Sequence, residues 1–175
     1  MTMNCFFLWI PFFLIRFGLL SCLGRDALRR AAHFAPMRGL EKGAYWVYQL
    51  STAALILYSP FLRVSRESPV LFSIGLLCYL GGLTLCAVSV SSFSTPAASG
   101  LNTSGVYRYS RNPMYVAYFF CFLGIALLSC SAAFFGLLAL FQISCHWIIL
   151  AEERWCVETF GDAYRNYMST VRRYL

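Results

Sequence analysis

No Asp, Glu, Lys or Arg occurs in residues 113–150, PMYVAYFFCFLGIALLSCSAAFFGLLALFQISCHWIIL. A membrane-spanning helix needs about 20 apolar residues, so this run is about twice as long as a single crossing requires. Near its middle, Ser129, Cys130 and Ser131 interrupt the bulky side chains. The stretch therefore predicts two membrane helices that fold back on each other, with a tight turn near Leu128–Ser131.

Three further charge-poor stretches precede this hairpin, at Cys5–Leu23, Ala44–Leu62 and Val70–Val90. The whole chain is 59% hydrophobic and only 12% charged, whereas soluble domains carry about a quarter charged residues. A soluble domain and a disordered chain are both excluded by this composition. The sequence predicts an all-α polytopic membrane bundle of about five helices. Residues 1–95 hold spans 1–3 and residues 96–175 hold a loop, spans 4–5 and a short interfacial C-terminal helix, together as one structural unit.

The basic residues predict the orientation in the membrane. With five spans, eleven of the 14 Lys and Arg residues fall on one face, Arg63 and Arg66 fall on the other, and Arg16 lies inside the first span. Basic residues concentrate on the cytoplasmic side of membrane proteins. We therefore expect the amino terminus outside, and the carboxyl terminus and active site in the cytoplasm. The eleven are Arg25, Arg29, Arg30, Arg38, Lys42, Arg108, Arg111, Arg154, Arg165, Arg172 and Arg173.

The same distribution of basic residues accounts for the formal net charge of +7. Nucleic-acid binding is not needed to explain this charge, because the basic residues flank membrane spans and do not form a recognition helix. The eight cysteines contain no CxxC pair, so we expect reduced thiols and no metal site. A lipid bilayer is the expected surrounding, and no protein partner can be inferred.

Two segments on the basic face are rich in Tyr, Arg, Asn and Glu, namely residues 105–115 and 152–167. Within the first, Asn112-Pro113 is typical of a helix start, with Asn as the cap and Pro in the first turn. The positive end of that helix, together with Arg108 and Arg111, predicts an anion-binding mouth. The alternative is that these Arg and Tyr residues only anchor the chain at the membrane interface.

Polar residues also mark one face of the fifth span. Gln142, His146 and Glu153 are spaced by four and seven residues and project from the same side of a helix. Polar side chains are costly in lipid, so this face should look into the bundle or a wet cavity. For Arg16 in the first span, extension to the membrane interface is favoured over a place inside the bundle.

A short helix is expected after Gly161, with Asp162 as its cap. Tyr164, Tyr167, Met168 and Val171 then form an apolar stripe at spacings of three and four residues. That pattern suits a helix lying on the membrane surface, or a lid over the predicted mouth.

These segments resemble the isoprenylcysteine carboxyl methyltransferase family, part of a wider membrane group that includes phospholipid N-methyltransferases. The resemblance covers about residues 100–175. It is carried by an R-[HN]-P-x-Y helix start at Arg111–Tyr115, and by a paired-Glu segment that leads to FG-x-x-Y-x-x-Y at Glu152–Tyr167. Order, spacing and the hairpin between the two motifs agree with this superfamily.

The resemblance implies S-adenosylmethionine as the cofactor, held between the last two spans and the tail. Glu152 and Glu153 would contact its cationic portion or ribose, and the tail would close the pocket. Glu153 and Arg111 are the predicted catalytic residues, and His146 and Gln142 the predicted substrate groove. The residues predicted to bind the cofactor are Tyr107, Arg111, Asn112, Pro113, Tyr115, Glu152, Glu153, Tyr164, Tyr167 and Arg173.

The implied reaction is methyl transfer to a lipid-like substrate, with O-methylation of an isoprenylcysteine carboxylate favoured. A carboxylate acceptor needs no general base, whereas a phospholipid amine would need a proton acceptor, for which Glu153 and His146 are candidates. Two alternatives lie outside methyl transfer: a sterol or steroid reductase that uses NADPH, and a non-enzymatic membrane scaffold.

Overall fold

A computed structural model describes residues 3–24, 29–30, 35–96 and 100–174. The predicted cytoplasmic residue Arg25 lies outside the described residues. Within them the chain is helical, as predicted. The helices are α1 (Cys5–Leu23), α2 (Glu41–Tyr58), α3 (Pro69–Ser94), α4 (Pro113–Ser129), α5 (Ala132–Phe160) and α6 (Asp162–Thr170).

Three of these helices, α1, α3 and α5, are long and apolar enough to cross a membrane. Helix α4 is equally apolar but has 17 residues, and α2 has 18 residues that begin with the charged pair Glu41-Lys42. All five stretches predicted as spans thus contain a helix. The protein is a multi-pass membrane helix bundle.

The predicted hairpin turn is confirmed. Helix α4 ends at Ser129, and Cys130 takes a left-handed conformation with φ of 50°. The Ser131 hydroxyl then caps α5 by accepting a hydrogen bond from the Phe134 amide at 3.3 Å. Helix α5 continues past Leu150 to Phe160, so the paired glutamates stand on the same rigid helix as His146.

Helices α3 and α4 pack closely along their lengths because glycines let their backbones approach. A Cβ atom on Gly82 would lie 2.5 Å from the Cys121 amide nitrogen, and one on Gly124 would lie 2.6 Å from that of Tyr79. Helix α2 packs instead along α5, where Arg154 forms an ion pair with Glu41. The two helices of the hairpin thus have different principal neighbours.

Helix α1 is irregular around its charged residue. It begins with a 3₁₀ turn that the Asn4 side chain caps, and residues Leu14–Leu19 form a π-helix that contains Arg16. Trp9 and Phe12 from its first half pack with Phe122 of α4 in the apolar core. The first half of α1 is therefore fixed by packing, and the wider π turn follows it.

A single residue, Gly161, separates α5 from α6 and makes the bend between them with a φ of 56°. The prediction that Asp162 caps this helix is wrong: Asp162 is its first residue, and its carboxylate pairs with Arg165 at 2.8 Å. The predicted apolar stripe is present, since Tyr164 and Tyr167 are buried in a small cluster with Leu101.

Candidate active site

A buried carboxylate organises the polar end of the bundle. Glu153 on α5 is 4% exposed, and its Oε1 lies 3.1 Å from Nη2 of Arg111. Its Oε2 lies 2.9 Å from Nη2 of Arg173 and accepts a second hydrogen bond from Nε of that residue at 3.0 Å. Two guanidiniums from distant parts of the sequence thus share one carboxylate.

Asn112 joins this cluster instead of capping α4. No side-chain cap bond is made at this helix start, so the prediction that Asn112 caps the helix is wrong. Its Nδ2 donates to the Arg173 carbonyl at 3.1 Å and to Glu153 Oε1 at 3.4 Å. The amide group is drawn away from the helix end by a charged acceptor, and charged acceptors make the stronger hydrogen bonds.

The last turns of α6 and the tail that follows it are hydrogen-bonded to the loop before α4. The Arg111 amide donates to the Arg172 carbonyl at 2.9 Å, and Arg111 Nη1 donates to the Met168 carbonyl at 3.4 Å. Further along, the Tyr174 hydroxyl lies 2.7 Å from His146 Nδ1. The tail therefore runs along the face of α5 that carries Glu153 and His146.

Glu152 has different surroundings from its neighbour. Its Oε1 accepts a hydrogen bond from the Tyr115 hydroxyl at 2.7 Å, and no ion pair with Glu152 is found within residues 3–24, 29–30, 35–96 and 100–174. Helix α5 points the two adjacent carboxylates in different directions, so Glu153 is neutralised by arginines while Glu152 faces a tyrosine.

Both carboxylates line a cavity of about 540 Å³, a volume within the usual range of cofactor and ligand sites. Most of the residues predicted to bind a cofactor meet here, and Pro113 and Arg173 alone among them are not part of its wall. The predicted residues on the wall are Tyr107, Arg111, Asn112, Tyr115, Glu152, Glu153, Tyr164 and Tyr167.

The tyrosines from the loop and from α6 close one side of the cavity. Tyr167 donates to the Tyr107 carbonyl at 2.6 Å, which ties α6 to the loop before α4. Burial raises the pKa of Tyr107, Tyr164 and Tyr167 well above the usual range of a phenol. These side chains therefore stay neutral and serve as hydrogen-bond donors at any physiological pH.

His146 and Gln142, the predicted substrate groove, do not line this cavity. His146 contacts Tyr174, and Gln142 Oε1 is buried with no partner among the described residues. The role of these two residues stays a prediction. Arg108, predicted beside Arg111 at an anion-binding mouth, is exposed and also lies off the wall.

Several wall residues were not predicted, among them Arg16, Arg30, Tyr48, Asn102 and Tyr118. Tyr118 lies three residues after Tyr115, so helical spacing could have found it. Arg16 was expected to extend to the membrane interface, whereas the structure places it on the cavity wall. Tyr48 comes from α2, and nothing in the sequence around it indicates a site.

Some polar atoms of the residues that line the cavity have no hydrogen-bond partner among the described residues. Nε of Arg111, Nε of Arg30 and Oδ1 of Asn102 are buried and have no hydrogen-bond partner in the part of the chain that the structure describes. Buried polar groups are nearly always satisfied in native proteins. All three residues line the cavity, so the wall is suited to a polar ligand. Among the described residues, no group of three His, Cys, Asp or Glu side chains is arranged to hold a metal ion.

Comparison with known families adds a separate line of evidence. Residues 85–163 match the model of the phospholipid methyltransferase family. The matched range runs from α3 to the start of α6 and includes Arg111, Tyr115 and both paired glutamates. It supports the wider group of membrane methyltransferases and does not single out the isoprenylcysteine carboxyl methyltransferases. No curated protein and no solved structure matches the chain.

Proposed function

We propose that this protein is a membrane methyltransferase that transfers a methyl group from S-adenosylmethionine to a lipid, with a phospholipid amine as the acceptor. The observation that carries the proposal is the match of residues 85–163 to phospholipid methyltransferases, because that range supplies Tyr107, Arg111, Tyr115 and Glu152 to the wall of one cavity. The amine is preferred over the carboxylate acceptor because the matched family is named for phospholipids.

The residues of the cavity fit the implied cofactor. When bound, S-adenosylmethionine supplies an electrophilic methyl group on a positively charged sulfur. Glu152 offers a carboxylate for the cationic portion, and the neutral tyrosines offer rings and hydroxyls for the nucleoside. Asn102 Oδ1 and Arg111 Nε, which have no partner among the described residues, offer an acceptor and a donor. These are the groups that a zwitterionic amino acid joined to a nucleoside requires.

The ion pairs give Glu153 and Arg111 a positioning role in this proposal. Both carboxylate oxygens of Glu153 are already engaged in ion pairs, one with Arg111 and the other with Arg173, so this side chain holds the arginines in place. Glu152 is better suited to accept the proton that a lipid ammonium group loses as its nitrogen becomes a nucleophile. The Tyr115 hydroxyl orients that carboxylate at 2.7 Å.

O-methylation of an isoprenylcysteine carboxylate remains the second candidate, because the R-N-P-x-Y and FG-x-x-Y-x-x-Y motifs resemble that family. Electrostatics favours the amine: a carboxylate acceptor would approach Glu152, a group of like charge, whereas an ammonium group would be attracted to it. The proposal also retains the expected orientation, with the amino terminus outside and the cavity on the cytoplasmic side.

Two measurements on the purified full-length chain test the proposal. Titration with S-adenosylhomocysteine and, separately, with NADPH should show binding of the first alone; binding of NADPH alone would favour a reductase, and binding of neither a scaffold. Transfer of labelled methyl groups should then be assayed with a phosphoethanolamine lipid and with a farnesylated cysteine. We expect the label in the phospholipid, and label only in the farnesylated cysteine would reverse the order of the two candidates.

A further inference from the structure

Two unusual features of α1 coincide at Arg16. The residue lies inside a helix that is apolar enough to cross a membrane, where a charge is costly unless it faces a polar cavity or a partner. The surrounding residues Leu14–Leu19 form a π-helix. Segments of π-helix are rare and are frequent at functional sites. Arg16 lies outside residues 85–163, so the family comparison assigns it nothing.

Arg16 and Glu152 line the same cavity. Cζ of Arg16 lies 5.8 Å from the centre of the Tyr118 ring, and that ring lies 6.0 Å from the ring of Tyr115, which donates to Glu152. The rings of Tyr118 and Tyr115 are thus neighbours, the first near the cation and the second bonded to the carboxylate. Guanidiniums stack on aromatic faces, and their planar set of N–H donors matches the geometry of phosphate.

Arg30 adds a second cation to this wall. Its guanidinium lies 5.4 Å from the centre of the Phe93 ring, and its Nη2 donates to the Phe93 carbonyl at 3.1 Å. Nε of Arg30 is buried and finds no partner among the described residues. One nitrogen thus anchors the side chain to α3, and another donor remains available for an anionic oxygen.

We propose that Arg16, assisted by Arg30, forms an oxyanion subsite that binds the acidic group of the acceptor lipid. This inference rests on the proposed function. It assigns the phosphate of the lipid to Arg16 and Arg30, whereas Glu152 accepts the proton of the neighbouring amine. A phosphoethanolamine headgroup carries opposite charges a few bonds apart, which complements a wall that holds the guanidiniums of Arg16 and Arg30 and the carboxylate of Glu152. Arg16 is thus a specificity-determining residue, and the π turn of α1 presents it.

The test compares two acceptors with matched acyl chains in non-ionic detergent micelles: a phosphoethanolamine lipid and a primary-amine lipid without phosphate. Arg16→Gln should lower kcat/KM for the phosphate-bearing lipid by about tenfold or more, the value of one hydrogen bond between charged groups. It should leave kcat/KM for the amine lipid and the affinity for S-adenosylhomocysteine unchanged. Arg16→Lys should retain an intermediate preference.

Arg66→Gln is the matched control, because Arg66 also lies 5.5 Å from a phenylalanine ring, that of Phe72, but is exposed and lies off the cavity wall. It should behave as wild type on both acceptors. Equal activity of the wild type and Arg16→Gln on the phosphate-bearing lipid would overturn the subsite. A loss on both acceptors with weaker S-adenosylhomocysteine binding would overturn it too, by assigning Arg16 to the cofactor.

Failure of the proposed function gives a different result. If the wild type transfers methyl groups to neither lipid, the function is wrong, and direct binding of a short-chain phosphoethanolamine lysolipid still tests the subsite. Tighter binding of the lysolipid by wild type than by Arg16→Gln would support it, and equal binding would contradict it.

Discussion

The α3–α4 interface and the Glu153 cluster hold the molecule together by different means. At the interface, Gly82 and Gly124 allow backbones to touch, and the buried Tyr79 hydroxyl is satisfied by the Leu8 carbonyl at 2.6 Å. In the cluster, one carboxylate joins Arg111, Asn112 and Arg173 through charged hydrogen bonds. The first region depends on side-chain volume and the second on charge, so different substitutions should disrupt each.

The largest effect should come from adding volume at the interface. Gly82→Val would force a side chain against the Cys121 backbone, where even a Cβ has only 2.5 Å, and should destabilise the bundle by about 3 kcal/mol or more. Gly81→Val is the control, because a Cβ at that neighbouring position meets no atom within 4 Å. Thermal unfolding in detergent measures both, and equal melting temperatures would refute the role of close packing.

Removing the charge from the cluster should come next. Glu153→Gln leaves Arg111 and Arg173 facing a neutral amide and should cost about 3 kcal/mol, the lower end for breaking a buried ion pair, because Arg173 is 32% exposed. It should also weaken S-adenosylhomocysteine binding. Glu158→Gln, which removes an exposed pair with Arg38, should change stability by under about 1 kcal/mol. If the two variants unfold alike, the cluster is not a stabilising centre.

A smaller change inside the cavity separates chemistry from folding. Tyr115→Phe removes the hydroxyl that orients Glu152 and should lower the rate of methyl transfer about tenfold, since a hydrogen bond to a charged group contributes roughly 1.5 kcal/mol. The loss of stability should stay below that of Glu153→Gln, because a hydrogen bond is removed and no ion pair is broken. Tyr109→Phe serves as the control because Tyr109 is 76% exposed and lies off the wall. An unchanged rate for Tyr115→Phe would remove Glu152 from the proposed chemistry.

The smallest effect is expected beyond the cluster, on the face of α5 that the tail follows. Tyr174→Phe removes the contact with His146 and should cost about 1 kcal/mol of stability, with no change in KM for the acceptor lipid. Gln142→Leu should be neutral or slightly stabilising, because the replaced Oε1 is buried without a partner among the described residues. A raised acceptor KM in either variant would favour the predicted groove at His146 and Gln142.

The sequence predicted the helices well because their signals are local. The uncharged run at 113–150 and the Asn112-Pro113 pair define the hairpin without knowledge of any neighbour. The two motifs likewise bring Arg111 and the paired glutamates to one place. Contacts between distant segments were harder to predict. The Arg173 side chain reaches Glu153 because backbone hydrogen bonds hold the tail against the loop, and no local sequence pattern indicates this course of the tail.

Competition between partners explains the errors. Asn112 and Asp162 both have the residue types that cap helices, but each has a charged partner in the fold, Glu153 and Arg165 respectively. Arg16 was expected at the membrane interface because a long side chain in an α-helix extends there. A π turn changes the direction of that side chain, and no sequence pattern predicts where a π turn will form.

The left-handed turn at Cys130 carries a thiol that can be labelled to determine the topology of the protein in the membrane. Of the eight free thiols, those of Cys22 and Cys130 are exposed. The Ser65 amide donates to the Leu128 carbonyl at 2.8 Å, and the Cys5 amide donates to the Leu62 carbonyl at 3.0 Å, so Cys130 lies at the end of the bundle where α1 begins. Cys22 lies at the other end of α1, about 25 Å away at 1.5 Å per residue. In intact cells a membrane-impermeant maleimide should therefore react with one of these thiols and spare the other until the membrane is opened.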